Sequence, residues 1–104
     1  MEEGVYDLAA FNIEQYCQLI LKYKLLVKTG TYPRTHSIMR LIRELSEISQ
    51  NLRELLRGDR ILYLTKIEDA YIGARYLPRR YEEEEVRSLL NFVREVFKPL
   101  VEAI

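Results

Sequence analysis

The segment AYIGARYLPRRYEEEE (residues 70–85) holds the sharpest break in the helical pattern of this chain. Helical spacing ends before Pro78, because the residue that precedes a proline is pushed out of helical geometry. Four glutamates follow at residues 82–85, and their negative charges suit the positive end of a new helix dipole. The segment therefore predicts a corner between a third helix over about residues 59–76 and a fourth that begins near Tyr81.

Apolar residues recur at helical spacing on both sides of this corner. A first helix is predicted over about residues 5–28, where apolar side chains cover nearly the whole circumference, as is typical of a central helix. A second is predicted over about residues 35–56, and the fourth should run to the end of the chain, with Pro99 kinking or fraying its last turn. These patterns predict one all-α domain over residues 1–104, an antiparallel up-and-down bundle of four helices.

Composition argues against several classes of protein. Sixteen basic and sixteen acidic side chains give a formal net charge of zero, so the surface as a whole should not attract phosphate, although a local basic patch is compatible with it. The apolar runs are too short to cross a bilayer and the amino terminus has no signal-peptide pattern, so a cytoplasmic location is expected. One histidine and one cysteine fall short of a zinc site, and neither a metal nor a cofactor is predicted; Cys17 is expected to be a small core residue.

Three segments resemble the HEPN family, the "higher eukaryotes and prokaryotes nucleotide-binding" helical domains. Residues 74–78, Ala-Arg-Tyr-Leu-Pro, are similar to the family's Ala-Arg-Tyr-Pro corner with one residue inserted. Residues 30–37, GTYPRTHS, resemble the loop that precedes the family's next helix, and Gln15 and Lys22 match its pattern in the preceding helix. The resemblance implies a helical bundle that dimerises, and in small members a pairing with a minimal nucleotidyltransferase in a two-component, toxin–antitoxin-like system.

Many HEPN proteins are ribonucleases whose usual active site is an arginine followed about four to six residues later by a histidine. The window after Arg75 contains no histidine, and Tyr81 stands where one would be expected. A phenol is a poor general base at neutral pH, so RNA cleavage would lose its usual proton acceptor. We therefore expect a HEPN-like protein that binds a nucleotide, RNA or a partner protein and lacks the usual nuclease chemistry.

Seven residues are candidates for ligand contacts. Arginine side chains would hold phosphates, a tyrosine ring would stack on a base, and the histidine lies where the start of the second helix favours anions. They are Arg34, His36, Arg75, Tyr76, Arg79, Arg80 and Tyr81.

Structural roles for the same residues stay open. His36 and Thr35 would cap the second helix, Arg75 would join the third helix to the fourth through an ion pair, and Arg79 and Arg80 would neutralise the glutamates.

Two other functions also remain open. One is a metal-independent ribonuclease that uses Arg75 with His36 brought close in space, and the other is a structural helical interaction module without a nucleotide site. A further expectation concerns the amino terminus, because family members usually begin with one more helix. An apolar strip of the first helix would then lack its cover, so either a second chain covers it, as in a homodimer, or the given amino terminus is short of the natural start.

Overall fold

A computed structural model describes residues 5–71 and 81–104 in full and residues 72–75 as helical backbone. In chain order the elements are α1 (Val5–Thr29), α2 (Ile38–Ser46), a 3₁₀ helix (Gln50–Leu56), α3 (Arg60–Arg75), α4 (Glu83–Phe92), a π-helical segment (Val93–Phe97) and α5 (Lys98–Glu102). The described residues form helices and connecting loops without strands, which confirms the all-α prediction. The strict antiparallel order of four helices stays a prediction. None of the helices in the described ranges is both long and apolar enough to cross a membrane.

α1 is the central helix of the domain, as its apolar circumference predicted. It contacts α2, α3, α4 and α5. Ala10, Cys17 and Leu21 lie on one face at helical spacing and are completely buried. The complete burial of Cys17 confirms that this cysteine is a core residue, and burial raises the pKa of its thiol.

The opposite face of α1 carries several exposed apolar side chains. We call it the α1 strip and define it as Leu8, Leu19, Tyr23 and Leu26, whose exposed fractions are 60%, 65%, 60% and 47%. The exposed Asn12 and the half-buried Gln15 lie on the same side of α1 between Leu8 and Leu19, so the α1 strip is a row of exposed apolar side chains interrupted by polar ones.

The second predicted helix is interrupted, so its prediction as one continuous helix was wrong. α2 begins after Ser37, whose side chain accepts a hydrogen bond from the backbone N–H of Arg40, and it ends at Ser46. The hydroxyl of Ser46 donates to the carbonyl of Arg43 at 2.7 Å, a local bond that competes with the helical pattern. The chain resumes as a 3₁₀ helix, and Leu52 and Leu55 on it are still fully buried.

Of the two effects predicted for Pro99, the structure contradicts fraying of the last turn, and a kink stays a prediction. The proline does not fray the last turn; a π-helical segment precedes it, in which the N–H of Lys98 donates to the carbonyl of Val93, five residues back. A proline lacks an N–H and its ring clashes with the carbonyl four residues earlier, so a wider turn before it removes the conflict. The helix then continues through α5, and Phe97 stays completely buried against the edge of Tyr16.

Candidate functional site

The loop before α2 lies against the second half of α3. The rings of His36 and Tyr71 are stacked with their centroids 4.2 Å apart and their planes at 18°. The Tyr71 hydroxyl is also 3.1 Å from Nε2 of His36. Phe11 of α1 packs on the same tyrosine with a centroid distance of 6.3 Å. We call Phe11, Tyr71 and His36 the ring ladder; it joins α1, α3 and the loop.

A carboxylate of α3 holds the start of α2 beside the ring ladder. Oε1 of Glu68 accepts hydrogen bonds from the Ser37 hydroxyl at 3.1 Å and from the backbone N–H of Met39 at 3.0 Å. The cap of α2 is therefore Ser37 and not the predicted pair of Thr35 and His36. The negative charge of Glu68 also lies where the start of α2 was expected to favour an anion, so the protein itself supplies that anion.

A second carboxyl group, on Glu14 of α1, is completely buried near this site. It accepts hydrogen bonds from the side-chain amides of Gln18 and Gln15. Burial raises the pKa of Glu14; the two amides and the charge of His36 act in the opposite direction, and the charge of Glu68 adds to the rise. His36 and Glu68 therefore both lie close enough to Glu14 to affect its ionisation.

Sequence analysis missed Glu14, although a signal for it was present. Residue 14 follows Ala10 by four positions and precedes Cys17 by three, so it shares the buried face of α1. An acidic residue in the middle of such a face indicates a buried and hydrogen-bonded carboxyl group. The same spacing also aligns Gln18 with Glu14 for the bond between them.

The structure brings His36 to the helix that carries Arg75. Arg75 is the last residue of α3 and follows Tyr71 by four positions, so the two positions lie on the same face of the helix. Arg34 is exposed in the loop two residues before His36. The Arg75 side chain, together with the other sequence candidates Tyr76, Arg79 and Arg80, lies outside the described residues.

Tyr81 is a core residue in the structure, which differs from the role predicted for it as a stacking platform. Only 5% of it is exposed, and its hydroxyl donates to the carbonyl of Lys66 at 3.0 Å. Its backbone N–H donates to the carboxylate of Asp7, and the Lys66 ammonium pairs with Glu85 at 2.8 Å. Tyr81 thus fastens the start of the last helix to α1 and α3, and its buried ring offers no face to a base.

Other surface features in the described ranges do not add to this site. A cleft of about 450 Å³ lies between the end of α1 and the outer face of α2, and none of the ring-ladder residues lines it. Within residues 5–71 and 81–104, no three His, Cys, Asp or Glu side chains come together as a possible metal site. What the ring ladder can offer a ligand is the exposed imidazole of His36, which can form hydrogen bonds and stack.

Comparison with known proteins places the chain in a family. The family model described as "HEPN domain" matches residues 1–104, which is the whole chain. No curated protein and no solved structure gave a significant match. The family indicates a nucleotide- or RNA-related function in general terms.

Replacing Glu14 by glutamine should make folding stability less sensitive to a rise in pH. Because folding raises the pKa of Glu14 above its ordinary value of 4.5, the native state holds this proton at pH values where the unfolded state releases it. The wild type therefore loses stability as pH rises through this interval, whereas Glu14→Gln cannot ionise and keeps an oxygen that accepts from Gln18. In urea denaturation, the unfolding free energy of Glu14→Gln relative to that of the wild type should therefore increase as the pH is raised from about 4.5 to about 7.5.

Glu83→Gln is the control for this experiment. Hydrogen bonding and the charge of Arg87 lower the pKa of the exposed Glu83 from its ordinary value of 4.5, so the contribution of its carboxylate is lost only as pH falls below this interval. The difference in unfolding free energy between the wild type and Glu83→Gln should therefore stay nearly constant across the interval. Parallel pH profiles for the wild type and Glu14→Gln would contradict the buried ionisable carboxyl group.

Proposed function

The chain belongs to the HEPN domain family, and on this basis we propose that it binds a nucleotide or RNA beside the ring ladder, at the end of α3. The observation that carries the proposal is the contact between His36 and Tyr71, with centroids 4.2 Å apart. Residues 30–37 and 74–78 are the two segments with the strongest resemblance to the family, and this contact joins the first of them to the helix that ends in the second. Residues far apart in sequence thus converge on one face of the domain.

In this proposal a base stacks beside the ring ladder and the phosphates lie toward the end of α3. His36 is exposed and supplies an aromatic ring with polar edges, which suits an unpaired base. Arg75, together with Arg34, Arg79 and Arg80, would supply guanidinium groups for the phosphates. The start of α2 is a poor phosphate site because Glu68 already accepts the N–H of Met39.

A second candidate function is a metal-independent ribonuclease, and the same contact favours it. The histidine missing after Arg75 would be replaced in space by His36, which lies against the residue one turn before Arg75. In such an enzyme the imidazole would take the proton of the attacking 2′-hydroxyl, and the guanidinium would stabilise the negative charge that develops on the phosphate. We place this function second because the window after Arg75 has no histidine and His36 already interacts with Tyr71.

Binding of fluorescein-labelled single-stranded RNA, and of ATP and GTP, tests both functions. His36→Ala should weaken binding because it removes a stacking ring, and Arg75→Ala because it removes a charged phosphate contact; each should lower affinity by about tenfold, with the RNA recovered uncut. Arg94→Ala removes an exposed arginine of the π-helical segment and should leave affinity unchanged.

Two outcomes would redirect this conclusion. If the wild type cleaves the RNA in the presence of a metal chelator, and both His36→Ala and Arg75→Ala abolish cleavage, the ribonuclease function replaces the binding function. If the wild type shows neither RNA binding nor a thermal shift with ATP, GTP or short RNA, the protein is a helical interaction module.

We further propose that the protein is a homodimer in which a second copy covers the α1 strip. Leu8, Leu19 and Leu26 are separated by eleven and seven residues, so they follow one another along a single face of α1. Leaving that face in water costs about 25 cal/mol per Å² of apolar surface, which a symmetric contact would recover. The ring ladder begins at Phe11, three residues from Leu8, so a partner on the strip would lie beside the ligand site.

Leu19→Glu should convert the dimer into a monomer, because it introduces a charge in the middle of the α1 strip, where the side chain is 65% exposed. Leu62→Glu is the matched control, since Leu62 is 69% exposed on α3 and lies outside the strip. Light scattering after size-exclusion chromatography should report half the wild-type mass for Leu19→Glu and the full mass for Leu62→Glu. A fully helical wild type that is monomeric at all concentrations would contradict the dimer.

The proposed partner protein is a minimal nucleotidyltransferase, with which this chain would form a two-component, toxin–antitoxin-like system. Support for this pairing comes from family membership alone. Purification of the tagged chain from its native host, followed by mass spectrometry, should recover a nucleotidyltransferase in stoichiometric amount. Recovery of the tagged chain without one, under conditions that preserve other complexes of the host, would contradict the pairing.

A further inference from the structure

We propose that Glu68 is the positioning residue of the ligand site: it clamps the chain that carries His36 onto α3, so that the imidazole lies over Tyr71. The inference rests on the proposed binding function of the ring ladder. Glu68 itself does not contact the ligand. Its effect on binding would pass through the place and orientation of His36, and its charge would keep phosphates away from the start of α2.

Two residues of α3, three positions apart, hold residues 35–40, which we call the His36 segment. Tyr71 holds the imidazole itself through stacking and through the 3.1 Å approach of its hydroxyl to Nε2. Glu68 holds the chain directly after His36, at the hydroxyl of Ser37 and the N–H of Met39. Because residues 68 and 71 of a helix face the same side, both contacts act on one short stretch of the loop.

The Glu68 contact differs in kind from the cap of α2. The Ser37 hydroxyl oxygen accepts the N–H of Arg40, and the Thr35 hydroxyl oxygen accepts the N–H of Ser37, so both of these bonds lie within the His36 segment. They shape the turn around the histidine but do not attach it to another helix. The bonds to Glu68 attach it to α3, and bonds to a charged acceptor are stronger than those between neutral groups.

The charge of Glu68 would also direct the ligand. A free helix N-terminus attracts phosphate through its N–H groups and its dipole. Since the Glu68 carboxylate accepts the Met39 N–H, a phosphate near α2 would meet a negative charge instead of an open donor. Phosphates would therefore be directed away from α2 and toward the end of α3, where Arg75 lies.

Nuclear magnetic resonance gives a direct test, because His36 is the only histidine of the chain and its ring signals are unique. Stacking on Tyr71 should shift these signals through the ring current of the phenol. Glu68→Ala should move them toward the positions of a free histidine and weaken RNA binding by about tenfold. Glu68→Gln keeps an oxygen that accepts hydrogen bonds and should give an intermediate result, while Glu84→Ala, an exposed acid of α4, should change neither property.

The outcomes separate this inference from the proposed function. If the wild type binds RNA and a folded Glu68→Ala binds equally well with unmoved His36 signals, the positioning role is overturned. If the wild type does not bind RNA, the proposed function fails, and the His36 signals of the variants still decide whether Glu68 holds the loop. If circular dichroism shows that Glu68→Ala is unfolded, Glu68→Gln decides: unmoved signals and unchanged affinity overturn the role.

Discussion

The rest of the domain depends on the burial of one face of α1. Ala10, Cys17, Leu21 and Leu25 are buried there, and α1 contacts each of the other α-helices. Because an isolated helix pair cannot bury this much apolar surface, the short elements after α1 gain their stability by packing on it. The breaks in the chain after Ser46 and before Pro99 are tolerated for the same reason, since the leucines and the phenylalanine around them still reach the core.

The same helix connects the core to the candidate site. Glu14 lies on the buried face, and a buried carboxyl group is costly unless it is hydrogen-bonded, which the amides of Gln15 and Gln18 achieve. Phe11 leads from that face to Tyr71, and the α1 strip starts at Leu8 on the outer side. The core, the ligand site and the proposed dimer surface therefore occupy three neighbouring stripes of one helix. A substitution in one stripe should affect the packing of the other two.

The site was only partly predictable from the sequence. His36 and the helix that ends at Arg75 were recognised as candidates, because each belongs to a segment with family-like residues. Their meeting through Tyr71 was not predictable, since residues 36 and 71 are joined by no local pattern. Tyr81 was misassigned for the opposite reason: its neighbours along the chain are charged, and its burial comes from α1 and α3.

Local physical chemistry alone determined the helical class, the extent of α1 and the glutamate-rich start of the last helix. These follow from apolar spacing and from the helix dipole, which act between residues a few positions apart. The predicted corner at Pro78 lies outside the described residues. Tertiary structure decided the cap of α2, the place of the π-helical segment, the ionisation of Glu14 and the contact of His36 with α3. Each of these depends on burial or on a partner that is distant in sequence, and such a partner is defined only when the helices have packed.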